Sequence, residues 1–149
     1  MKIHFVRHAE ADYSLENKPG EFPGVPLTKV GERQAYDLSS KLSNFKYDFI
    51  LCSDMLRTKQ TLFPSLKRLK TIPLYDSRLR EISDTIDEPK ENQIQRMESF
   101  LESLKSLQGN VLIIAHFGVI KYLSRRLGEE VVSPKNGGYY LIVPQDNLA

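Results

Sequence analysis

The chain has 149 residues, of which 40% are hydrophobic and 27% are charged, and its formal net charge is +2. A chain of this length buries about two thirds of its unfolded surface, so we expect one domain over residues 1–149. So small a net charge gives no reason to expect a nucleic acid or an anionic membrane as the partner, because the long-range field is weak.

The N-terminus lacks the apolar core of a secretory signal, because residues 3–6 alone separate Lys2 from Arg7. No apolar run approaches the length of a bilayer span. These features predict a cytoplasmic protein. Cys52 is the single cysteine, which excludes an internal disulfide, and the three histidines lack the close spacing of metal ligands. We therefore expect no metal and no cofactor.

Five short apolar runs, rich in β-branched and aromatic residues, are typical of strands. They are Lys2–Val6, Asp48–Cys52, Thr71–Tyr75, Asn110–Ala115 and Tyr139–Val143. Segments with helical spacing separate them. The alternation predicts an α/β fold, a three-layer α/β/α sandwich with a mostly parallel central sheet.

Two helices are predicted in the first half of the chain. The first begins after Thr28, which can cap it, and ends near Leu42, with Val30, Ala35 and Leu38 near its inner face. The second begins near Ser53 or Met55, and Pro64 kinks or ends it.

Two further helices are predicted in the second half. One spans Glu91–Leu107 and carries an apolar stripe that we expect in the core, consisting of Ile94, Met97, Leu101, Leu104 and Leu107. The other spans Gly118–Leu127, ends at Gly128, and directs Arg125 and Arg126 to water. The segment Lys18–Pro26 is rich in Gly and Pro and is predicted to be a loop.

Reactive side chains follow four of the predicted strands. They are Arg7 and His8 after the first, Ser53 and Arg57 after the second, Glu81 after the third, and His116 after the fourth. Ligands of open α/β sheets bind outside the carboxyl ends of the strands. We therefore expect these side chains to meet in one crevice.

With their neighbours, these residues make the sequence resemble the small phosphatase branch of the histidine phosphatase superfamily, also called phosphoglycerate mutase-like. The matching blocks are Arg7-His8-Ala9-Glu10, Leu27-Thr28 with Gly31 and Gln34-Ala35, Ser53-Asp54-Met55-Leu56-Arg57 with Thr61, Leu79-Arg80-Glu81, and Ala115-His116 with Gly118-Val119-Ile120. Any one block is weak evidence, whereas five blocks in the family's order are strong evidence. The resemblance implies a metal-independent phosphatase that forms a phosphohistidine.

The resemblance implies that His8 is the nucleophile and that His116 donates to the phosphoryl oxygens. Arg7 and Arg57 suit a phosphate dianion, because their planar forks donate paired hydrogen bonds and neutralise charge in the transition state. The same cations disfavour an imidazolium, so we expect them to hold His8 neutral. We expect Glu81 to protonate the leaving oxygen and then to activate the water that cleaves the phosphohistidine.

Several polar residues near these blocks are candidates for supporting roles. They are Ser53, Thr61, Ser14 and Glu10, of which the first two could equally cap a helix. Three other carboxylates compete with Glu81 for the role of the acid, namely Glu10, Asp12 and Asp84. His4 is expected to be structural.

A cysteine phosphatase is an alternative, because Cys52 precedes Arg57. That class places five residues between its cysteine and its arginine, and this chain has four there. The spacing therefore argues against a cysteine nucleophile, and we expect Cys52 to be a buried apolar residue.

The sequence departs from the family pattern at Ala9, Ala11, Ser14, Thr58 and Phe117, and a Cβ at position 9 could crowd a phosphate that approaches the main chain. A catalytically weak member that serves as a phospho-ligand binding module is therefore a second hypothesis, and a mutase is a third.

The cover over the predicted pocket is short, because only Ile82–Lys90 and one helix lie between Glu81 and the fourth strand. An open site predicts a phosphorylated small molecule or a phosphoprotein, including one that carries phosphohistidine, as the substrate, with inorganic phosphate as a product. It also favours hydrolysis over mutase activity, because a mutase must retain its intermediate in an enclosed pocket.

Overall fold

The computed structural model describes residues 1–144. Its strands are β1 (Lys2–Arg7), β2 (Phe49–Cys52), β3 (Pro73–Tyr75), β4 (Asn110–Ala115) and β5 (Tyr139–Ile142). They form one sheet in the order β3-β2-β4-β1-β5, in which all neighbours are parallel except the antiparallel pair β1 and β5. The five predicted strands and the mostly parallel sheet are confirmed. β3 begins at Pro73 rather than Thr71, because Thr71 lies in a turn after Lys70, whose φ is +56°.

The α-helices are α1 (Lys29–Leu42), α2 (Leu56–Leu62), α3 (Leu66–Leu69), α4 (Lys90–Lys105) and α5 (Phe117–Arg126). Thr28 caps α1 as predicted, because its Oγ1 accepts the backbone N–H of Gly31 at 2.9 Å. Pro64 lies in the 3-10 turn Phe63–Ser65 that separates α2 from α3. Within residues 1–144, no helix is long and apolar enough to cross a bilayer.

The helices pack on both faces of the sheet, which confirms the three layers. Alternate residues of the strands point to opposite faces. On one face, residues such as Phe5 and Ile113 pack against α4 and α5. On the other face, residues such as Val6 and Ile114 pack against α1, α2 and α3. These two buried clusters fix the position of the sheet and therefore of the carboxyl ends of its strands, where the reactive residues lie.

Two residues predicted to face the core lie at the surface. Val30 is 47% exposed, because α1 buries the stripe that begins one residue later at Gly31. Ile94 is 41% exposed, because Gln93 takes the inward position beside Met97. The amide of Gln93 bonds the backbone of Ser83 and Glu88, so this polar side chain holds the loop before α4.

Candidate active site

The register of three parallel strands brings the reactive residues to one level. Arg7 pairs with Ala115 across β1 and β4, and the N–H of His8 donates to the Ala115 carbonyl at 3.0 Å. The N–H of Ser53 donates to the Ile114 carbonyl at 3.0 Å from the end of β2. His8, Ser53 and His116 therefore leave the sheet side by side. The rings of His8 and His116 lie 5.3 Å apart, centroid to centroid.

The hydrogen bonds of His8 define which nitrogen is free to react. Its Nδ1 lies 2.7 Å from the carbonyl oxygen of Ala9. A carbonyl only accepts, so Nδ1 carries the proton and Nε2 presents a lone pair. Nε2 points toward the hydroxyl of Tyr13, which is 3.4 Å away.

Burial is the main reason that His8 is neutral. The residue is 1% exposed, and its pKa falls to about 3, first through burial and then through the charges of Arg57 and Arg7. We predicted that the two arginines would hold the ring neutral. They contribute in that direction, but loss of solvation is the larger cause. The lone pair on Nε2 is therefore available throughout the neutral range.

His116 is completely buried beside His8. Its Nε2 lies 2.9 Å from Oγ of Ser53, whereas its Nδ1 has no hydrogen-bond partner within residues 1–144. Burial lowers its pKa well below the usual value, and the neighbouring His8 and Arg57 act in the same direction. His116 is therefore a neutral ring with Nε2 hydrogen-bonded to Ser53 and Nδ1 without a partner in the described residues.

Arg57 and Arg7 also have unused donors. Arg57 is 3% exposed, and its Nε and Nη1 have no partner in the described part of the chain. Arg7 donates from Nη1 to the carbonyl of Pro134 at 3.0 Å, and its buried Nε is unpaired there too.

An aromatic ring lies against each of these arginines. The guanidinium of Arg57 lies 5.6 Å from the ring of Tyr13, and that of Arg7 lies 5.3 Å from the ring of Phe117. Phe117, a departure from the family pattern, thus braces Arg7.

The carboxylate of Glu81 lies at the N-terminus of α5. Its Oε1 accepts backbone N–H groups from Ile82 and Gly118 at 2.9 Å each and from Val119 at 3.3 Å, whereas Oε2 has one contact at 3.2 Å, to Gly118. Burial raises the pKa of Glu81, and these N–H groups oppose the rise. A Cβ at position 118 would overlap the carbonyl oxygen of Ile82 and would lie 2.8 Å from Oε1, so this approach of the backbone requires glycine.

Arg96 of α4 fixes the segment that carries Glu81. Its guanidinium donates to the carbonyls of Arg78, Arg80 and Glu81 at 3.0, 2.8 and 3.0 Å. It also pairs with the carboxylate of Glu88 at 2.6 Å. This contact could not be predicted from the sequence, because an arginine on a helix is usually solvated.

The predicted supporting residues divide into two groups. Ser53 contacts His116, and Oγ1 of Thr61 links the two sides of the pocket, since it accepts from the Ala9 N–H at 2.9 Å and donates to the Arg57 carbonyl at 2.7 Å. Two other candidates make contacts elsewhere. Glu10 accepts from the Thr28 hydroxyl near the start of α1, and Ser14 bonds Asp12 at an exposed turn.

Other histidines and carboxylates have different surroundings. His4 is buried and bonds Tyr139 and Asn110, as expected of a structural residue. Asp12 caps a short 3-10 turn, and Asp84 is exposed. Within residues 1–144, no three His, Cys, Asp or Glu side chains are placed to hold a metal ion together.

The side chains of Ala9 and Cys52 are both buried in hydrophobic clusters. Ala9 packs in a buried cluster with Leu27 and Ala35, and its φ is not in the left-handed region that would require glycine. Cys52 is buried, and burial raises the pKa of its thiol to about 12. A thiol is the wrong form for nucleophilic attack, so burial as well as spacing argues against a cysteine phosphatase.

Two loops meet at one side of the pocket. Lys18 pairs with Asp87 at 3.2 Å, and the backbone of Gly20 lies against the side chain of Ile86. Gly20, Ile86 and Asp87 of these loops line a pocket of about 250 Å³, and its lining also includes Met55, Arg57, Arg80, Glu81, Glu88 and Arg96. This pocket leads from the two loops to the arginine and the carboxylate of the site.

Comparison with known proteins identifies the family. The histidine phosphatase superfamily (branch 1) matches residues 3–86, which is more than half of the chain. The chain therefore belongs to the histidine phosphatase superfamily, whose members act through a phosphohistidine intermediate. The matched part contains Arg7, His8, Arg57 and Glu81, whereas His116 lies beyond it.

Two relatives that match more than four fifths of the chain are named phosphatases. The chain is 29% identical over 143 residues to the uncharacterized phosphatase PhoE of Bacillus subtilis, covering 81% of this chain and 74% of that protein. It is 27% identical over 160 residues to the adenosylcobalamin/alpha-ribazole phosphatase of Escherichia coli, with 85% and 79% covered. The predicted class of enzyme, a hydrolase of phosphomonoesters, is confirmed.

Solved structures confirm the fold. A putative alpha-ribazole-5'-P phosphatase from Escherichia coli superposes with a TM-score of 0.83 at 21% identity, over 98% of this chain and 92% of that one. The protein TTHB049 from Thermus thermophilus gives a TM-score of 0.70 at 24% identity, over 96% and 94%.

Proposed function

We propose that this phosphatase carries out its reaction in the pocket around Nε2 of His8. The observation that carries the proposal is the set of buried donors without partners in residues 1–144, which are Nε of Arg7, Nε and Nη1 of Arg57, and Nδ1 of His116. A buried donor without a partner costs about 1–3 kcal/mol. A tetrahedral phosphate dianion supplies the acceptors that these atoms need.

In the first half-reaction, the lone pair on Nε2 of His8 attacks phosphorus. The bond from phosphorus to the leaving oxygen breaks, and its electron pair goes to that oxygen. Glu81 gives the leaving oxygen a proton. Oε2 is the oxygen that holds this proton, because Oε1 already accepts three N–H groups.

In the second half-reaction, a water molecule attacks the phosphohistidine. Oε2 of Glu81 takes a proton from the water as its oxygen bonds to phosphorus. The bond from phosphorus to Nε2 breaks, and its electron pair returns to the ring of His8. Inorganic phosphate leaves, and Glu81 is protonated again for the next turnover.

The arginines stabilise the charge that spreads over the phosphoryl oxygens. Arg57 is nearly inaccessible to water, so its attraction for the anion is stronger than at a surface. The neutral ring of His116 adds a donor without adding a charge next to His8.

The substrate that we favour is a small, polar phosphomonoester. His8 is buried, and the two loops that meet through Lys18 and Asp87 border the pocket beside Glu81. The lining beside Glu81 is charged in both signs, with Arg80, Arg96 and Glu88. Such a pocket suits a compact leaving group with hydroxyl or charged groups. The E. coli relative is named for small-molecule phosphates, which supports the same class.

A phosphoprotein is the second candidate substrate. It is supported by the shortness of the cover, since only residues 82–89 lie between Glu81 and α4. A measured preference in kcat/KM for a phosphohistidine protein over a panel of small phosphate esters would select this candidate.

Phosphate labelling tests the proposed nucleophile. Wild type, His8→Ala and Cys52→Ser are mixed with a phosphate ester and quenched in alkali, because phosphohistidine is stable in base and labile in acid. Mass spectrometry then locates the label. We expect it on His8 in the wild type and in Cys52→Ser, and no label or turnover in His8→Ala. Turnover by His8→Ala at the wild-type rate would refute the proposal.

The same experiment separates the alternatives. A binding module would bind inorganic phosphate without label or turnover in the wild type. A mutase would pass the label to an acceptor hydroxyl of an added alcohol or sugar, whereas the proposed hydrolase releases it as inorganic phosphate.

A further inference from the structure

Tyr13 lies directly over the nitrogen proposed as the nucleophile. Its hydroxyl is 3.4 Å from Nε2 of His8, and its ring lies edge-on to the His8 ring at 6.5 Å. Tyr13 also lies close to Arg57, whose guanidinium is 5.6 Å from the Tyr13 ring. Neither the sequence blocks nor the proposed mechanism gives this tyrosine a role.

The direction of the hydrogen bond is fixed by His8. Nδ1 already donates to the Ala9 carbonyl, so Nε2 can only accept, and the Tyr13 hydroxyl must be the donor. The hydroxyl keeps its proton at neutral pH, because burial raises the pKa of Tyr13. The proton of Tyr13 thus lies on the lone pair that would attack phosphorus.

The hydroxyl also occupies the place of the reacting atom. Reacting atoms in a productive complex lie about 3–3.5 Å apart. Phosphorus must therefore approach Nε2 to the distance at which the Tyr13 oxygen now lies. A phosphoryl group can react only after this hydroxyl has moved aside.

We propose that Tyr13 contacts the substrate: its hydroxyl shields Nε2 of His8 until a phosphoryl group arrives, then turns aside and donates to a phosphoryl oxygen. This inference rests on the proposed function of His8. Tyr13 transfers no proton. It donates to the same oxygen in the ester, in the phosphohistidine and in bound phosphate, and it returns to Nε2 when phosphate leaves.

The surroundings of Tyr13 allow this movement. The residue is 46% exposed and begins the 3-10 turn Tyr13–Leu15, which contains no buried residue. The turn is held by the cap from Asp12 to the N–H of Ser14. A small rotation of the side chain over Arg57 moves the hydroxyl without disturbing the core.

The test compares Tyr13→Phe with the matched control Tyr36→Phe, which removes a hydroxyl from a tyrosine that is 67% exposed on α1. Affinity for inorganic phosphate is measured by calorimetry, and kcat/KM with a small phosphate ester. A hydrogen bond to a charged group is worth more than a neutral one. We expect Tyr13→Phe to bind phosphate about tenfold more weakly and to lose about tenfold in kcat/KM.

A second measurement reports on the shield itself. Diethyl pyrocarbonate acylates an unprotonated imidazole nitrogen, and peptide mass spectrometry follows the product on His8. We expect acylation of His8 to be several-fold faster in Tyr13→Phe than in the wild type or Tyr36→Phe, and phosphate to slow it in all three. A structural role for the hydroxyl would not produce this difference.

The outcomes separate the two proposals. If His8→Ala is inactive but Tyr13→Phe matches Tyr36→Phe in phosphate affinity, kcat/KM and acylation rate, the role of Tyr13 is refuted and that of His8 stands. If His8→Ala keeps wild-type turnover, both are refuted. Weaker phosphate binding with faster acylation in Tyr13→Phe supports both halves of the inference.

Discussion

Oγ of Ser53 lies 2.9 Å from Nε2 of His116, and this contact determines which nitrogen of the ring is protonated. The same Oγ accepts the N–H of Met55 at 3.4 Å. Within residues 1–144, Nε2 is the one acceptor that the Ser53 hydroxyl contacts, so the hydroxyl proton is satisfied only when Ser53 donates to Nε2. The ring proton of His116 is then on Nδ1, which is the nitrogen left without a partner. Ser53 thereby makes Nδ1 a donor.

Ser53→Ala should reduce both activity and stability. Without the hydroxyl, Nε2 of His116 is buried and unpaired, which costs about 1–3 kcal/mol in the free energy of unfolding. The proton can also move to Nε2, which removes the donor at Nδ1, so we expect kcat/KM to fall at least about tenfold. Ser39→Ala is the matched control, because Ser39 is buried but bonds only a carbonyl of its own helix, that of Tyr36. Equal losses in the two variants would contradict the role of Ser53.

Arg57→Met should uncouple stability from phosphate binding. Methionine fills much of the same space and removes a buried cation with two unpaired donors, so we expect a Tm at or above that of the wild type in phosphate-free buffer. Phosphate at 100 times its Kd should stabilise the wild type by about 2.7 kcal/mol. Thermal unfolding with and without phosphate measures both effects, and an undiminished phosphate shift in Arg57→Met would contradict the clamp.

The sequence predicted the parts of this site that follow from strand order. Apolar runs located the strands. Parallel pairing of β1 and β4 then placed His8 and His116 next to each other at the carboxyl ends of these strands. It did not predict the residues that act across loops and helices. Gln93 replaces Ile94 in the core because it satisfies backbone groups of a loop, and periodicity does not report such demands. The place of Tyr13 depends on the path of a short turn, for which the sequence carries no periodic signal.

The pH dependence of stability should reveal the buried neutral His8. Its pKa is about 3 in the folded chain and about 6.5 when unfolded, so the unfolded chain binds the extra proton as the pH falls below 6.5. This contribution to stability is complete above pH 6.5. It is lost on acidification at up to about 1.4 kcal/mol per pH unit until the pH nears 3.

His8→Asn should remove that contribution, because the amide of Asn does not titrate. The Asn side chain can still donate to the Ala9 carbonyl, so this hydrogen bond is kept. Denaturant unfolding between pH 4 and pH 8 measures the slope for both proteins. His4 contributes alike to wild type and variant, whereas the pKa of His116 loses one of the causes that lower it, so the difference in slope reports His8 together with its effect on His116. Parallel curves for the two proteins would show that the ring of His8 titrates normally.

Glu81→Gln should be most damaging for substrates with poor leaving groups. An alkyl phosphate needs a proton on its leaving oxygen, so we expect kcat/KM to fall by about 10²–10⁴-fold, with a much smaller loss for p-nitrophenyl phosphate. Because burial raises the pKa of Glu81, the wild type should keep its acid to higher pH and lose kcat/KM as the pH rises through that pKa. For Glu81→Gln, kcat/KM should not show this fall as the pH rises. Asp84→Asn tests the exposed rival, and a selective loss there would transfer the role of the acid.

Arg96→Lys should reproduce the defect of Glu81→Gln without touching the carboxylate. The guanidinium of Arg96 holds the carbonyls of Arg78, Arg80 and Glu81, and a lysine cannot donate to all of them in one plane. We expect a loss in kcat/KM that is larger for the alkyl phosphate than for p-nitrophenyl phosphate. Arg126→Lys is the control, because Arg126 pairs with Glu98 at an exposed site.

A double-mutant cycle distinguishes positioning from general damage. If Arg96 acts through Glu81, adding Arg96→Lys to Glu81→Gln should cost little more than Glu81→Gln alone, because the acid is already missing. Full additivity, with equal losses for both substrates, would show that Arg96 only stabilises the fold. The expected coupling would show that Arg96 of α4 assists departure of the leaving group by positioning Glu81. The three carbonyls that Arg96 binds belong to the segment that carries the Glu81 carboxylate.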